Sequence, residues 1–124
     1  MLRIRTVAAI VLSAGWICPQ AYAEPPFSTK TDVVCYHFKG RTLELRDLCK
    51  MENFDTSSVI TWSDGVKTRI RWIARSRNVP AIDGIDATEY VRHPDTLEVI
   101  DPGDHANPVR CLQAIGSSNS VCWR

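Results

Sequence analysis

Between Lys67 and Arg77 the chain places five cations, Lys67, Arg69, Arg71, Arg75 and Arg77, with no acid among them. The two-residue spacing of the first three matches the period of a β-strand, which sends alternate side chains to one face. Lys67, Arg69 and Arg71 are therefore expected to form a basic row able to meet an anionic surface. From Asp83 to Asp104 the balance reverses, with seven acids against Arg92 alone. Acids such as Asp86 and Glu89 on a neighbouring strand give a second reading, in which the row is an ordinary solvated face. Its ion pairs would then contribute only about 0–1 kcal/mol each.

Catalytic chemistry finds less footing. The chain has no Gly-rich phosphate loop, nucleophile elbow or metalloprotease motif. Its three histidines, His37, His93 and His105, are isolated in sequence, and carboxylate pairs such as Asp83 and Asp86 carry no marked spacing for acid and base work. Asp95, Asp101, Asp104 and His105 crowd one segment, yet Asp101-Pro102-Gly103-Asp104 supplies too few oxygens for calcium and reads as a surface turn. His93 and His105 could share a transition metal if their loops meet. No catalytic residue, metal or cofactor is assigned on this basis.

Five cysteines are present, and one of them, Cys18, lies in a segment with the layout of a secretory signal. Met1 to Arg5 carries two arginines, an apolar stretch runs from Thr6 to Cys18, and Ala21-Tyr22-Ala23 forms a small-residue cleavage site. Cleavage after Ala23 leaves Cys35, Cys49, Cys111 and Cys122, an even set that in an oxidising compartment reads as two disulfides. The close C-x-x-C pairs of a zinc site are absent from the sequence. Local pairing is preferred, Cys35 with Cys49 and Cys111 with Cys122. A longer C-terminal loop would free Cys111 and Cys122 for the other two.

These residues must be positioned by a chain of 101 residues after cleavage, long enough for one modest core and one domain. The two arginines leave with the signal, so 13 basic residues face 14 acids and the net charge moves from +1 to −1. That near-neutral balance gives no general attraction to nucleic acid or anionic membrane, and no transmembrane span is expected after processing. Segment 24–31, with Pro25 and Pro26, is expected to be a flexible leader, and 32–124 a single β-rich domain. Turn signals recur about every ten residues between short runs of Val, Ile, Thr and aromatics. The fold expected is all-β and mainly antiparallel, a small disulfide-stapled barrel or sandwich of about seven to nine short strands. A short helical turn is an alternative near Leu43 to Met51.

Two hairpins can be argued to the register. A three-residue loop Ser63-Asp64-Gly65, with Gly65 left-handed, sets Ile60 against Thr68 and collects Ile60, Trp62, Val66, Thr68, Ile70 and Trp72 on one face. Lys67, Arg69 and Arg71 then take the other. A two-residue turn with Gly116 and Ser117 at its centre sets Ile115 against Ser118 and Cys111 against Cys122. The functional expectation is an exported, non-catalytic binding or inhibitor module, presenting Lys67, Arg69 and Arg71, with Trp123 near the chain end, to an extracytoplasmic protein or polyanion. The alternative is a structural or envelope-associated accessory protein of a larger assembly.

Overall fold

Alternating apolar and polar residues favour strands that bury one face, and the β-strands at Ser57–Thr61 and Lys67–Arg71 follow that rule strictly. The computed structural model describes residues 28–72 and 79–124. Over these residues it contains nine strands: β1 (Thr29–Lys39), β2 (Thr42–Asn53), β3 (Ser57–Thr61), β4 (Lys67–Arg71), β5 (Ala81–Ile82), β6 (Ile85–Arg92), β7 (Val99–Ile100), β8 (Val109–Ala114) and β9 (Asn119–Trp123). Arg75, Arg77 and the expected signal segment lie outside the described residues. All pairings are antiparallel, in the order β5-β4-β3-β2-β1-β9-β8-β6-β7. Because β5 also pairs with β6, the pairings return to their starting point, with β7 attached outside the ring.

Two expectations about the first hairpin are corrected. The sheet begins at Thr29, which pairs with Asn53, so the last residues assigned to the leader belong to β1. Leu43 to Met51 holds no helical turn, because β2 runs unbroken from Thr42 to Asn53. A register shift between His37 and Phe38 upsets the alternation there. Leu43 consequently stands opposite Phe38, whereas Leu45 stands opposite His37. An apolar pattern split between two faces in this way imitates a helical one.

Burial occurs on both sides of the sheet. Successive residues of β1, β8 and β9 enter different clusters: Cys35, Leu112 and Trp123 join Cys49, Met51, Ile60, Trp62 and Ile70, while Tyr36, Cys111 and Cys122 join Phe38 and Val109. Each cluster holds one disulfide, Cys35–Cys49 in the first and Cys111–Cys122 in the second, which is the local pairing. Leu97, from the segment between β6 and β7, packs over the second cluster. Buried polar groups in the first are satisfied: the Trp62 indole donates to the Thr68 hydroxyl at 2.9 Å and the Trp72 indole to the Ser58 hydroxyl at 2.9 Å.

Both reasoned registers are present. Ile60 faces Thr68, Thr61 faces Lys67, and Gly65 takes φ of +90° in the loop between β3 and β4, where a side chain would be strained. At the C-terminal hairpin Cys111 faces Cys122 and Leu112 faces Val121, but the turn differs from expectation. Its hydrogen bond runs from the Ser117 amide to the Ala114 carbonyl, putting Ile115 and Gly116 at the centre. The physical reason is competition, since the Ile115 amide donates to the Asp86 carbonyl and Ser118 gives its carbonyl to the Gly40 amide. Ile115 is thus engaged with the β6 side instead of crossing to Ser118.

Candidate functional site

Strand β4 is short and strictly alternating. Thr68 and Ile70 are buried, and Lys67, Arg69 and Arg71 are exposed. The inward side chains hold the strand in place, so the three cations project from a fixed backbone at intervals of about 6.8 Å, twice the rise per residue. On one flank, β3 sets Thr61, Val59 and Ser57 opposite Lys67, Arg69 and Arg71, a row without charge. On the other, the Asp83 carboxylate accepts from the backbone amide of Arg69 at 2.9 Å. Asp83 is held there by the left-handed backbone it adopts, φ of +49°, at the turn between β5 and β6.

Glu89, one of the acids considered as a partner for the row, binds Arg110 instead, with Arg110 Nη2 2.6 Å from Glu89 Oε2. The Arg110 guanidinium also lies 4.8 Å from the Trp72 ring centre. Among the described residues no ion pair joins Lys67, Arg69 or Arg71 to a carboxylate, and the Lys67 ammonium donates to the Thr61 hydroxyl at 3.1 Å. The cations stand closer together than the screening length of about 8 Å at physiological ionic strength, so they raise a joint positive potential on this face.

Trp123 does not share that face. It is 5% exposed, and its ring packs edge-on against Trp72 at 5.8 Å between centres. The chain end is drawn into the sheet by two hydrogen bonds, from the Val34 amide to the Arg124 carbonyl and from the Arg124 amide to the Val34 carbonyl. Trp123 is therefore a core residue and is withdrawn from the binding surface.

The loop that starts β4 is latched by Asp47. Its Oδ2 accepts from the Ser63 amide at 2.9 Å and from the Ser63 hydroxyl at 2.8 Å, while Oδ1 accepts from the Leu48 amide at 2.8 Å. The Ser63 amide and then its hydroxyl hold the Asp47 carboxyl below its ordinary value of 3.8, with partial burial opposing and the Leu48 amide assisting. A carboxyl depressed in the folded state adds stability above its ordinary pKa and loses it as pH falls through the folded one. Asp47→Asn is thus expected to lower the melting temperature at neutral pH and to narrow its difference from the parent below 3.8. Thermal melts across that range check this; parallel curves would remove the latch.

The histidines fall into two places. His37 Nδ1 lies 3.4 Å from Glu44 Oε1. His93 and His105 do meet, with ring centres 5.3 Å apart, but Nδ1 of His93 accepts from the Asp95 amide and Nδ1 of His105 from the Asn107 amide, each at 3.0 Å. Those bonds spend the lone pair a metal would use. Among the described residues no third His, Cys, Asp or Glu completes a metal-holding group with them.

A second positive feature escaped the reading of the sequence. Arg92 is 6% exposed, with its guanidinium 3.8 Å from the Phe38 ring centre and 5.2 Å from that of Tyr90. An arginine alone among acids reads as a surface partner, and no local pattern announces its contact with a ring on β1. No family model, curated protein or solved structure matches this chain.

Proposed function

We propose that the protein is an exported, non-catalytic binding or inhibitor module that recognises an extracytoplasmic macromolecule partly through the basic face of β4. The observation carrying this reading is the row Lys67, Arg69 and Arg71, exposed on a braced strand, with no acid paired to it among the described residues. Like charges held side by side repel, and an anionic partner surface relieves that repulsion while gaining orientation from the fixed spacing. The two disulfides suit an oxidising setting, in keeping with secretion or a periplasmic location.

Replacing all three cations together, Lys67→Ser, Arg69→Ser and Arg71→Ser, is expected to weaken partner binding roughly tenfold to a hundredfold, from up to about 1 kcal/mol per exposed pair. Stability should change by less than about 0.5 kcal/mol per site. The partner is recovered by mass spectrometry of what copurifies with the protein from its host at low and high salt. Equal recovery with parent and triple variant, at both salt levels, would show the row to be ordinary surface.

One observation favours the reading as an accessory protein of a larger assembly. Strand β2 pairs with β3 only over Lys50 to Asn53, so among the described residues Thr42 to Cys49 borders β1 on one side and no strand on the other. Leu43, Leu45 and Leu48 are exposed along this edge, Leu48 at 75%. Unpaired edges accept added strands. Constitutive recovery in a salt-resistant complex, lost when Leu45→Lys and Leu48→Lys are combined, would select this reading over the first.

A further inference from the structure

The outer face of the first hairpin and the segment after β6 enclose a cavity of about 610 Å³, a size suited to a small molecule. Its floor is Phe38 and Arg92, both almost fully buried, and Leu97 forms a wall. Leu43 and Val99 give the rim apolar surface, while Arg41 and Glu98 supply its charges. These residues come from β1, the turn after it, β2, β6, the segment that follows and β7, so the cavity is assembled by the fold.

Arg92 is the unusual member. Removing a guanidinium from water is costly, and buried arginines are ordinarily matched by a carboxylate. Here Nη1 donates to the Leu97 carbonyl at 2.9 Å and Nη2 to the Tyr90 hydroxyl at 3.1 Å, with a longer 3.5 Å approach to the Gly40 carbonyl. Nε is buried with no hydrogen-bond partner. Among the described residues no carboxylate lies within ion-pairing distance of Arg92 or Arg41. The bonds to Leu97, Tyr90 and Gly40 explain Arg92 as a brace between the hairpin turn and the loop after β6. With the faces of the Phe38 and Tyr90 rings they stabilise the cation in part, and among the described residues they leave it without a carboxylate partner.

We propose that this cavity binds a small organic carboxylate, with the anionic group held by Arg92 and Arg41 and the apolar body lying along Phe38, Leu43, Leu97 and Val99. Two cations and the Glu98 carboxylate leave one net positive charge, which a monoanion neutralises and a phosphate dianion overshoots. Phe38, Leu43, Leu97 and Val99 favour a ligand with an apolar body over one that is charged throughout. The site draws on none of the β4 residues, so it stands or falls apart from the basic face.

The test uses the full mature chain, titrated with hexanoate, hexanol and hexylamine, with amide shifts and calorimetry as readouts. Hexanoate is expected to bind at least about tenfold more tightly than hexanol, hexylamine to bind most weakly, and shifts to concentrate at Leu43, Leu97 and Val99. Arg92→Met should abolish the preference for hexanoate. Because that variant also removes the brace, two exposed substitutions carry the test independently. Arg41→Gln should weaken hexanoate about threefold to tenfold and Glu98→Gln should tighten it by a similar factor, neither altering hexanol. Equal affinity for hexanoate and hexanol, or no response to either exposed substitution, would overturn the site.

Discussion

Replacing Cys111 and Cys122 together by Ala should lower the unfolding free energy by about 3 kcal/mol or more. The bond closes a loop with a sequence separation of 11, for which the chain-entropy model gives about 3 kcal/mol. Both residues are fully buried beside Tyr36, Phe38 and Val109, so lost sulfur contacts add to the entropic term. Cys35 and Cys49 are separated by 14 residues, and the same model gives their bond a nearly equal value. The two bonds serve different clusters, but Cys35 and Cys122 lie one position apart across the β1 and β9 ladder, so the loss of both should differ from the sum of the single losses. A domain of this size has only about 5–15 kcal/mol of stability in total, so a chain lacking both bonds should be largely unfolded at 37 °C. Urea unfolding of the three variants measures this. A loss below about 1 kcal/mol for Cys111→Ala with Cys122→Ala would mean that the C-terminal hairpin is held by its ladder alone.

The elements legible in the sequence are those in which local chemistry and burial agree. At β3 and β4 one face is apolar and the other charged, and Gly65 supplies the backbone angle the loop demands, so a shifted register would put cations into the core. At β8 and β9 the cysteines and the Leu112 and Val121 pair enforce the ladder even though the turn itself is decided by Asp86 and Gly40, which are distant in sequence. Strand β2 was obscured because its apolar residues serve two faces across a register shift. Trp123 was misplaced because β9 is buried on both faces, Trp123 in one cluster and Cys122 in the other, which alternation along the strand does not announce. The alternation of β4 puts its cations on one face, but their lack of acid partners depends on where Glu89 and Asp83 direct their carboxylates. The burial of Arg92 depends on a ring 54 residues earlier, and nothing in the residues around it could announce that.

Ile60→Ala should destabilise the protein by about 2–5 kcal/mol, whereas Val66→Ala, six residues away in the same hairpin, should change stability by less than about 0.5 kcal/mol. Sequence patterning assigns both residues to one apolar face, so their difference comes from three-dimensional position. Ile60 lies next to the last residue of β3, is 0% exposed and packs in the cluster with Cys35, Trp62, Ile70 and Leu112. Truncation there loses the transfer free energy of three carbons and leaves a void whose walls, tied by the Cys35–Cys49 bond and by the Trp62 to Thr68 hydrogen bond, can close only in part. Val66 follows the loop, is 58% exposed, and gives its carbonyl to the Trp62 amide, a backbone bond that alanine keeps. Parent and variants compared by urea unfolding with the disulfides intact should share one slope and differ in midpoint. Similar losses at the two positions would mean that the β3 and β4 hairpin buries Val66 as deeply as Ile60. Because Val66 shares its face with Thr68 and Ile70, that outcome would extend the core to the loop and leave the cations on the other face; a loss below about 0.5 kcal/mol at Ile60 would instead mean that the hairpin is turned over, and the face of Lys67, Arg69 and Arg71 with it.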